Sequence, residues 1–89
     1  MTNDKTVRAR VTVFPRPEIL DPQGKAIGEA LGRLGFDSVR EVRAGKSFDV
    51  ELAGVGEGDA ERLLTEMSDK LLANPIVEDY SIEIRTEES

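Results

Sequence analysis

The acidic pairs come nearest, in residue type and spacing, to a catalytic arrangement. Glu78 and Asp79 are adjacent, and so are Glu87 and Glu88 near the end of the chain. Two carboxyl groups held at a fixed separation can act as an acid and a base. If Glu78 and Asp79 lie in a strand, however, their side chains point to opposite faces of the sheet. The pattern therefore gives little support to acid–base catalysis.

The chain contains no histidine and no cysteine. It therefore lacks thiolate nucleophiles, disulfides, the usual zinc ligands and the side chain most often used for proton transfer near neutral pH. These absences favour a binding or assembly role, with no catalytic residues and no metal site. The lack of cysteine also fits a reducing compartment, and no stretch resembles a signal peptide or a membrane span. We expect a cytoplasmic protein.

The composition predicts one small globular domain over residues 1–89, with a core of about residues 6–85. Of the 89 residues, 38% are hydrophobic and 34% are charged, and the net charge is −6. An acidic chain is a poor binder of nucleic acid or anionic membranes. Some of its basic residues could form a local patch, but we expect them to pair with Asp49, Glu51 and Glu83 across a sheet face. These basic residues are Arg8, Arg10, Arg40, Arg43 and Lys46.

Alternation and helical periodicity predict the order strand, helix, strand, strand, helix, strand. The strands lie near residues 7–14, 38–43, 46–52 and 76–85. Asp21 and Pro22 suit the start of the first helix, and Gly35 suits its end. Gly24, Gly28 and Gly32 share one face, which is either merely weak in helix propensity or a smooth surface for close backbone approach.

The second helix is predicted to begin at Asp59, after a loop at 53–58. Its buried stripe is expected to include Leu64, Met67 and Leu71. Asn74 in a left-handed conformation and Pro75 would end it. This order is typical of an α+β, ferredoxin-like β-α-β-β-α-β sandwich, a four-stranded antiparallel sheet in the order 4-1-3-2 with both helices on one face.

Four stretches resemble the PurS family, the small subunit of phosphoribosylformylglycinamidine synthase. They are residues 19–27, residues 30–31 with 34–35, residues 42–46 and residues 70–80, which include Leu-Asp-Pro-Gln-Gly and Leu-Leu-Ala-Asn-Pro-x-x-Glu-Asp-Tyr. Residues 14–18 depart from the family's usual lysine-containing segment. The match runs in register over about residues 6–85.

The resemblance implies an accessory subunit of an ATP-dependent, glutamine-using ligase in purine biosynthesis. It implies a homodimer that bridges the glutaminase and synthetase subunits, in a complex that uses ATP, Mg and glutamine while this chain binds no cofactor. A ligand-sensing regulatory module of the same fold is the alternative. The candidate partner-interface residues are Asp21, Pro22, Gln23, Gly24, Lys46, Asn74, Pro75, Glu78 and Tyr80.

Overall fold

The structure, a computed structural model, describes residues 6–87 and contains a three-stranded antiparallel sheet and two helices. The elements are β1 (Thr6–Pro15), α1 (Pro22–Arg33), β2 (Lys46–Ala53), α2 (Glu57–Met67), a π-helical turn (Ser68–Leu72) and β3 (Glu78–Glu87). The strand order is β2-β1-β3, so β1 is central. The predicted neighbours of the first strand are therefore confirmed.

The predicted strand at 38–43 is not a strand in the structure, so the sheet has three strands where four were expected. Val39 and Val42 are three residues apart and cannot share one face of a strand. The carbonyl of Val42 instead lies against Gly24 of α1. This segment therefore packs beside α1 and does not extend the sheet beyond β2.

The core lies between the inner face of β1 and α2. Val7, Val11 and Val13 of β1 and Leu64 of α2 are almost fully buried. Residues of β2 and β3 pack around this cluster, whereas no described residue of α1 belongs to it. The expectation that both helices cover one face is thus wrong, because only α2 packs across the sheet.

The molecule is elongated because α1 and its flanking segments project away from the sheet. Its principal extents are 58, 29 and 14 Å. A strand of ten residues spans about 33 Å, so the sheet alone does not account for the long dimension. We call residues 16–45 the arm and the rest of the described chain the body.

The π-helical turn changes which side chains of the second helix are buried. Ser68 is fully buried and its hydroxyl donates to the carbonyl oxygen of Leu64 at 2.8 Å. The extra residue per turn rotates Leu71 out to solvent, where it is 83% exposed, and Leu72 packs against the core. The predicted burial of Leu71 is therefore wrong. The predicted cap at Asp59 is also wrong, because the N-cap position is Gly56.

The outer face of the sheet is charged, and the predicted pairing across it is confirmed for Arg8 and Arg10. It is wrong for Arg40 and Arg43, which lie outside the strands. Arg10 lies between Asp49 on β2 and Glu83 on β3, and its Nε is 2.8 Å from Asp49 Oδ1. Arg8 lies opposite Glu51. The contact with Asp49 raises the pKa of Arg10, and the Arg10 guanidinium lowers the pKa of Asp49.

Candidate functional site

Most of the candidate residues lie at one end of the sheet, where β1 ends and β2 and β3 begin. Asp21, Pro22, Gln23 and Gly24 start α1, which follows β1. Lys46 is the first residue of β2, and its ammonium lies 6.0 Å from the Phe48 ring. The remaining four belong to the turn before β3 and to its first residues: Asn74, Pro75, Glu78 and Tyr80.

Asp21 fastens the start of α1 to the segment before β2. Its Oδ1 accepts from the backbone N–H of Gly24 at 2.9 Å, and its Oδ2 accepts from the N–H of Ala44 at 2.8 Å. The hydrogen bond from Gly24, followed by the one from Ala44, lowers the pKa of Asp21. The predicted N-cap is confirmed, and the same carboxylate also holds a segment 23 residues away.

Gly24 is buried at the point where α1 meets this segment. A side-chain carbon built on Gly24 would collide with the Val42 carbonyl and with Asp21, whereas one on Gly28 would make ordinary contact with Val42. Gly32 has nothing within 4 Å of that position. The smooth-face interpretation of the three glycines is therefore confirmed at Gly24, and the close backbone belongs to the same chain.

The turn before β3 is shaped by its own polar side chains. Glu78 Oε1 accepts from the backbone N–H of Asn74 at 2.7 Å, and Asn74 Oδ1 accepts from the N–H of Ile76 at 3.1 Å. No described residue other than glycine has a positive φ, so the left-handed conformation expected for Asn74 does not occur. Asn74 contributes an Asx-type turn instead.

Tyr80 ties β3 to the π-helical turn. Its hydroxyl donates to Asp69 Oδ1 at 2.9 Å. This hydrogen bond is the main reason why the pKa of Tyr80 is raised, because ionisation of the phenol would remove the donor and place two negative charges together. Tyr80 is half-buried, and its polar end therefore has a partner within the chain.

Arg16 connects the end of β1 to the turn before β3. The sequence placed it in a loop that departs from the family's usual lysine-containing segment, and no contact was predicted for it. Its backbone N–H donates to the Val77 carbonyl at 2.9 Å, and its guanidinium donates to the Pro75 carbonyl. Its buried Nε makes an ion-pair contact with Asp79 Oδ1 at 3.5 Å that is not a hydrogen bond. The Pro15-Arg16-Pro17 sequence was the available signal, since two prolines hold such a loop extended.

Arg43 extends this connection to the arm. Its guanidinium donates to the Pro15 carbonyl and lies 5.8 Å from the centre of the Phe14 ring. Arg43 precedes Ala44, which Asp21 holds. The end of the sheet is therefore a connected frame of hydrogen bonds that runs from the turn at 74–78 to the start of α1.

Exposed apolar side chains lie on this frame. Ile76 in the turn is 81% exposed, and Asn74 and Pro75 beside it are also exposed. Within residues 6–87 no group of acidic residues is arranged to hold a metal ion. No helix in this range is long and apolar enough to cross a membrane. Exposed apolar groups on a rigid polar frame suit contact with another protein.

Comparisons with known proteins agree on one family. The family model described as PurS, phosphoribosylformylglycinamidine (FGAM) synthase, matches residues 8–86. A phosphoribosylformylglycinamidine synthase subunit PurS from Mycobacterium leprae is 48% identical over 75 residues, covering 84% of this chain and 91% of that protein. The subunit PurS from Synechocystis is 43% identical over 75 residues, covering 84% of this chain and 75% of that protein.

Solved structures share the fold. PurS from Methanocaldococcus jannaschii, described as one of the subunits of formylglycinamide ribonucleotide amidotransferase, has a TM-score of 0.82 at 35% identity, covering 92% of this chain and 99% of that one. A chain in the structure of PurLQS from Thermotoga maritima has a TM-score of 0.82 at 26% identity, with coverages of 90% and 98%. The chain therefore belongs to the PurS family of phosphoribosylformylglycinamidine synthase.

Proposed function

We propose that this chain is the non-catalytic small subunit of phosphoribosylformylglycinamidine synthase in purine biosynthesis. As a homodimer in the cytoplasm it bridges the glutaminase and synthetase subunits and supports transfer of ammonia from glutamine to formylglycinamide ribonucleotide. The complex uses ATP, Mg and glutamine, and this chain holds none of them. The observation that carries the proposal is the match of the family model to residues 8–86, supported by the likeness to a PurLQS chain.

The contacts of the candidate polar side chains support an assembly role. Asp21, Glu78 and Tyr80 are all hydrogen-bonded within the chain, where they set the shapes of two surface loops. A loop that is ordered before binding loses less conformational entropy when a partner arrives. Asp21, Glu78 and Tyr80 therefore support partner contact by holding the neighbouring loop residues in place.

The proposal assigns contact with another subunit to a turn surface formed by Leu71, Asn74, Pro75 and Ile76. Leu71 and Ile76 are 83% and 81% exposed, although each is a large aliphatic side chain. The π-helical turn directs Leu71 outward, and the Glu78–Asn74 hydrogen bond shapes the loop that carries Ile76. Exposed apolar side chains held in a fixed position are suited to burial in the apolar core of a protein interface.

The test is reconstitution with the glutaminase and synthetase subunits from the same source. The rate of amidine formation is measured with glutamine and, separately, with ammonium chloride as the nitrogen donor. We expect omission of this chain to abolish glutamine-dependent turnover and to spare ammonia-dependent turnover. Equal use of glutamine with and without this chain would overturn the bridging function.

A pair of matched variants tests the turn surface. Leu71→Glu with Ile76→Glu adds two charges at the proposed contact, and Ser47→Glu with Ser81→Glu adds two charges at exposed positions of the open sheet face. We expect the first variant alone to weaken assembly by about a hundredfold, as loss of two central anchors would. Unchanged assembly of the first variant, with its circular dichroism intact, would contradict the assignment.

A further inference from the structure

The turn surface presents apolar side chains on a backbone whose hydrogen-bond donors are already used. In the turn at 74–78, the N–H groups of Asn74 and Ile76 donate to the side chains of Glu78 and Asn74. The N–H groups of Val77 and Glu78 both donate to the Asn74 carbonyl. Pro75 has no N–H group. Within this turn, no backbone N–H is therefore left to bond a partner.

The carbonyl oxygens of the same turn are also engaged, two of them by Arg16. The Arg16 guanidinium donates to the Pro75 carbonyl, and the Arg16 backbone N–H donates to the Val77 carbonyl. A peptide that binds as an added strand needs free backbone donors and acceptors on the surface that it joins. The turn surface therefore suits a partner that covers Pro75 and Ile76 with apolar side chains.

The π-helical turn connects the turn surface to the outward side of α2. The Ala73 N–H donates to the carbonyl of Ser68, five residues earlier, so this turn of helix contains an extra residue. Leu71 thereby leaves the buried side of the helix and joins the exposed side. Glu61 and Glu66 are also exposed and border one shallow depression on α2. The apolar turn surface and these two acids therefore lie along the same side of one helix.

Almost all of the net charge of the chain belongs to this part of the molecule. Residues 57–79 contain seven acidic and two basic residues, a net charge of −5, and the net charge of the whole chain is −6. All other residues together therefore contribute only −1. The acids are Glu57, Asp59, Glu61, Glu66, Asp69, Glu78 and Asp79, and the bases are Arg62 and Lys70.

This negative charge restricts what can cover the turn surface. Arg62 pairs with Asp59 at 3.5 Å, but among the described residues neither Glu61 nor Glu66 has a cation within 4 Å. Two copies of such a surface repel each other, and so do this surface and a nucleic acid or an anionic membrane. A protein surface that carries Lys and Arg side chains around an apolar centre is complementary to it.

We infer that the turn surface docks into an apolar hollow on another subunit of the synthase, and that Lys and Arg side chains at the border of this hollow face Glu61 and Glu66. The inference rests on the proposed function and adds the chemistry of the surface that the turn surface meets. The two parts act on different steps of binding. The acids speed up association by attracting the basic border, whereas the apolar contact slows dissociation.

Binding kinetics separate these two steps. Association and dissociation rate constants of the full chain are measured by surface plasmon resonance on the glutaminase and synthetase subunits from the same source. We expect Glu61→Gln with Glu66→Gln to lower the association rate constant about threefold to tenfold at about 50 mM salt, and to have little effect at about 500 mM salt. Leu71→Ala with Ile76→Ala is expected to raise the dissociation rate constant about tenfold at both salt concentrations.

A matched control removes two charges elsewhere, from the open sheet face. Glu51→Gln with Glu83→Gln gives the same change of net charge and is expected to alter either rate constant less than twofold. Glu61→Lys with Glu66→Lys doubles the change of charge and is expected to lower the association rate constant about tenfold to a hundredfold. Equal effects of the two Gln variants, or faster association of the Lys variant, would overturn the inference. Circular dichroism checks that each variant is folded.

Reconstituted turnover distinguishes failure of this inference from failure of the proposed function. At subunit concentrations well above the dissociation constant, glutamine-dependent turnover is expected to be equal for wild type and Glu61→Gln with Glu66→Gln, because these acids affect only the rate of encounter. If wild type supports this turnover and its association does not depend on the two acids, the inference fails and the proposed function stands. If wild type binds neither subunit, both fail.

Discussion

Asp21 Oδ2 accepts a hydrogen bond from the backbone N–H of Ala44 at 2.8 Å, and this contact holds the two ends of the arm together. The same carboxylate caps α1 through Gly24. One side chain therefore fixes both the start of the helix and the path of the chain into β2. The orientation of the arm, and of any surface that the arm carries, depends on it.

The first prediction concerns acid stability. The pKa values of Asp21 and Asp49 both lie below the ordinary 3.8, so the unfolded chain binds these protons more readily than the folded one. The stabilisation is therefore present above pH 3.8 and is lost as pH falls through the lower folded values. We expect the thermal midpoint to drop below about pH 4, measured by circular dichroism.

Asn variants separate the two carboxylates in the same experiment. Asp21→Asn and Asp49→Asn should each reduce the acid-dependent drop. In about 1 M salt, only the contribution of Asp49 to the fall of the thermal midpoint should become smaller. That contribution comes from an exposed ion pair with Arg10, which salt screens, whereas backbone hydrogen bonds hold Asp21. An acid-dependent drop that is identical in wild type and Asp21→Asn would contradict the role of Asp21.

The second prediction compares two glycines of α1. Gly24→Ala should destabilise the fold by about 1–3 kcal/mol, because the new methyl group meets the Val42 carbonyl and Asp21. Gly32→Ala should stabilise it by about 0.5–1 kcal/mol, since the position is helical and open. Urea unfolding gives both values. The same sign for the two variants would show that α1 does not pack on residues 42–44.

The third prediction tests the register of the π-helical turn. Leu64 is fully buried and Leu71 is exposed, although a regular helix would place both on one face. Leu64→Ala should cost about 2–5 kcal/mol, whereas Leu71→Ala should change stability by less than about 0.5 kcal/mol. Chemical denaturation of both variants checks this. A cost at Leu71 comparable to that at Leu64 would mean that the helix continues in regular α form.

The fourth prediction uses the single tyrosine of the chain. Its hydrogen bond to Asp69 raises the pKa of Tyr80 above 10.0, and an absorbance titration of the phenolate measures this value without interference from other tyrosines. Because the folded pKa is the higher one, the stabilisation is present below pH 10 and is lost as pH rises through the folded value. Asp69→Asn should lower the pKa. A titration unchanged by that substitution would exclude the contact.

Local sequence patterns predicted the structure correctly for β1, which has one buried and one exposed face, and for the two ends of α1. β1 alternates strictly between aliphatic and polar residues, and its inner side chains are the core. Asp21-Pro22 starts α1 as predicted, and Gly35 ends it with φ of 99°. At this end the backbone N–H groups of Gly35 and Phe36 reach the carbonyls of Gly32 and Leu31, a Schellman arrangement.

The errors share a cause, which is that periodicity identifies an apolar face without saying what covers it. The stripe of α1 suggested packing on the sheet, but the structure places the glycine face of α1 against Val42 in the segment before β2. Leu71 continued the stripe of α2 by regular spacing, and one π-helical turn removed it from the core. The role of Arg16 depends on the Pro75 and Val77 carbonyls, about sixty residues away in the chain.

Much of this protein could be predicted from its amino-acid sequence. The family follows from motifs that resemble PurS, and the central place of β1 follows from the ferredoxin-like element order. The α+β class, the helix start at Asp21 and the charge pairing of Arg8 and Arg10 follow from residue types at short or regular spacing. The three-stranded sheet, the separation of the arm from the body and the exposure of Leu71 were visible only in the folded molecule. Those features depend on competition between distant surfaces for the same apolar side chains, and local spacing carries no information about the outcome.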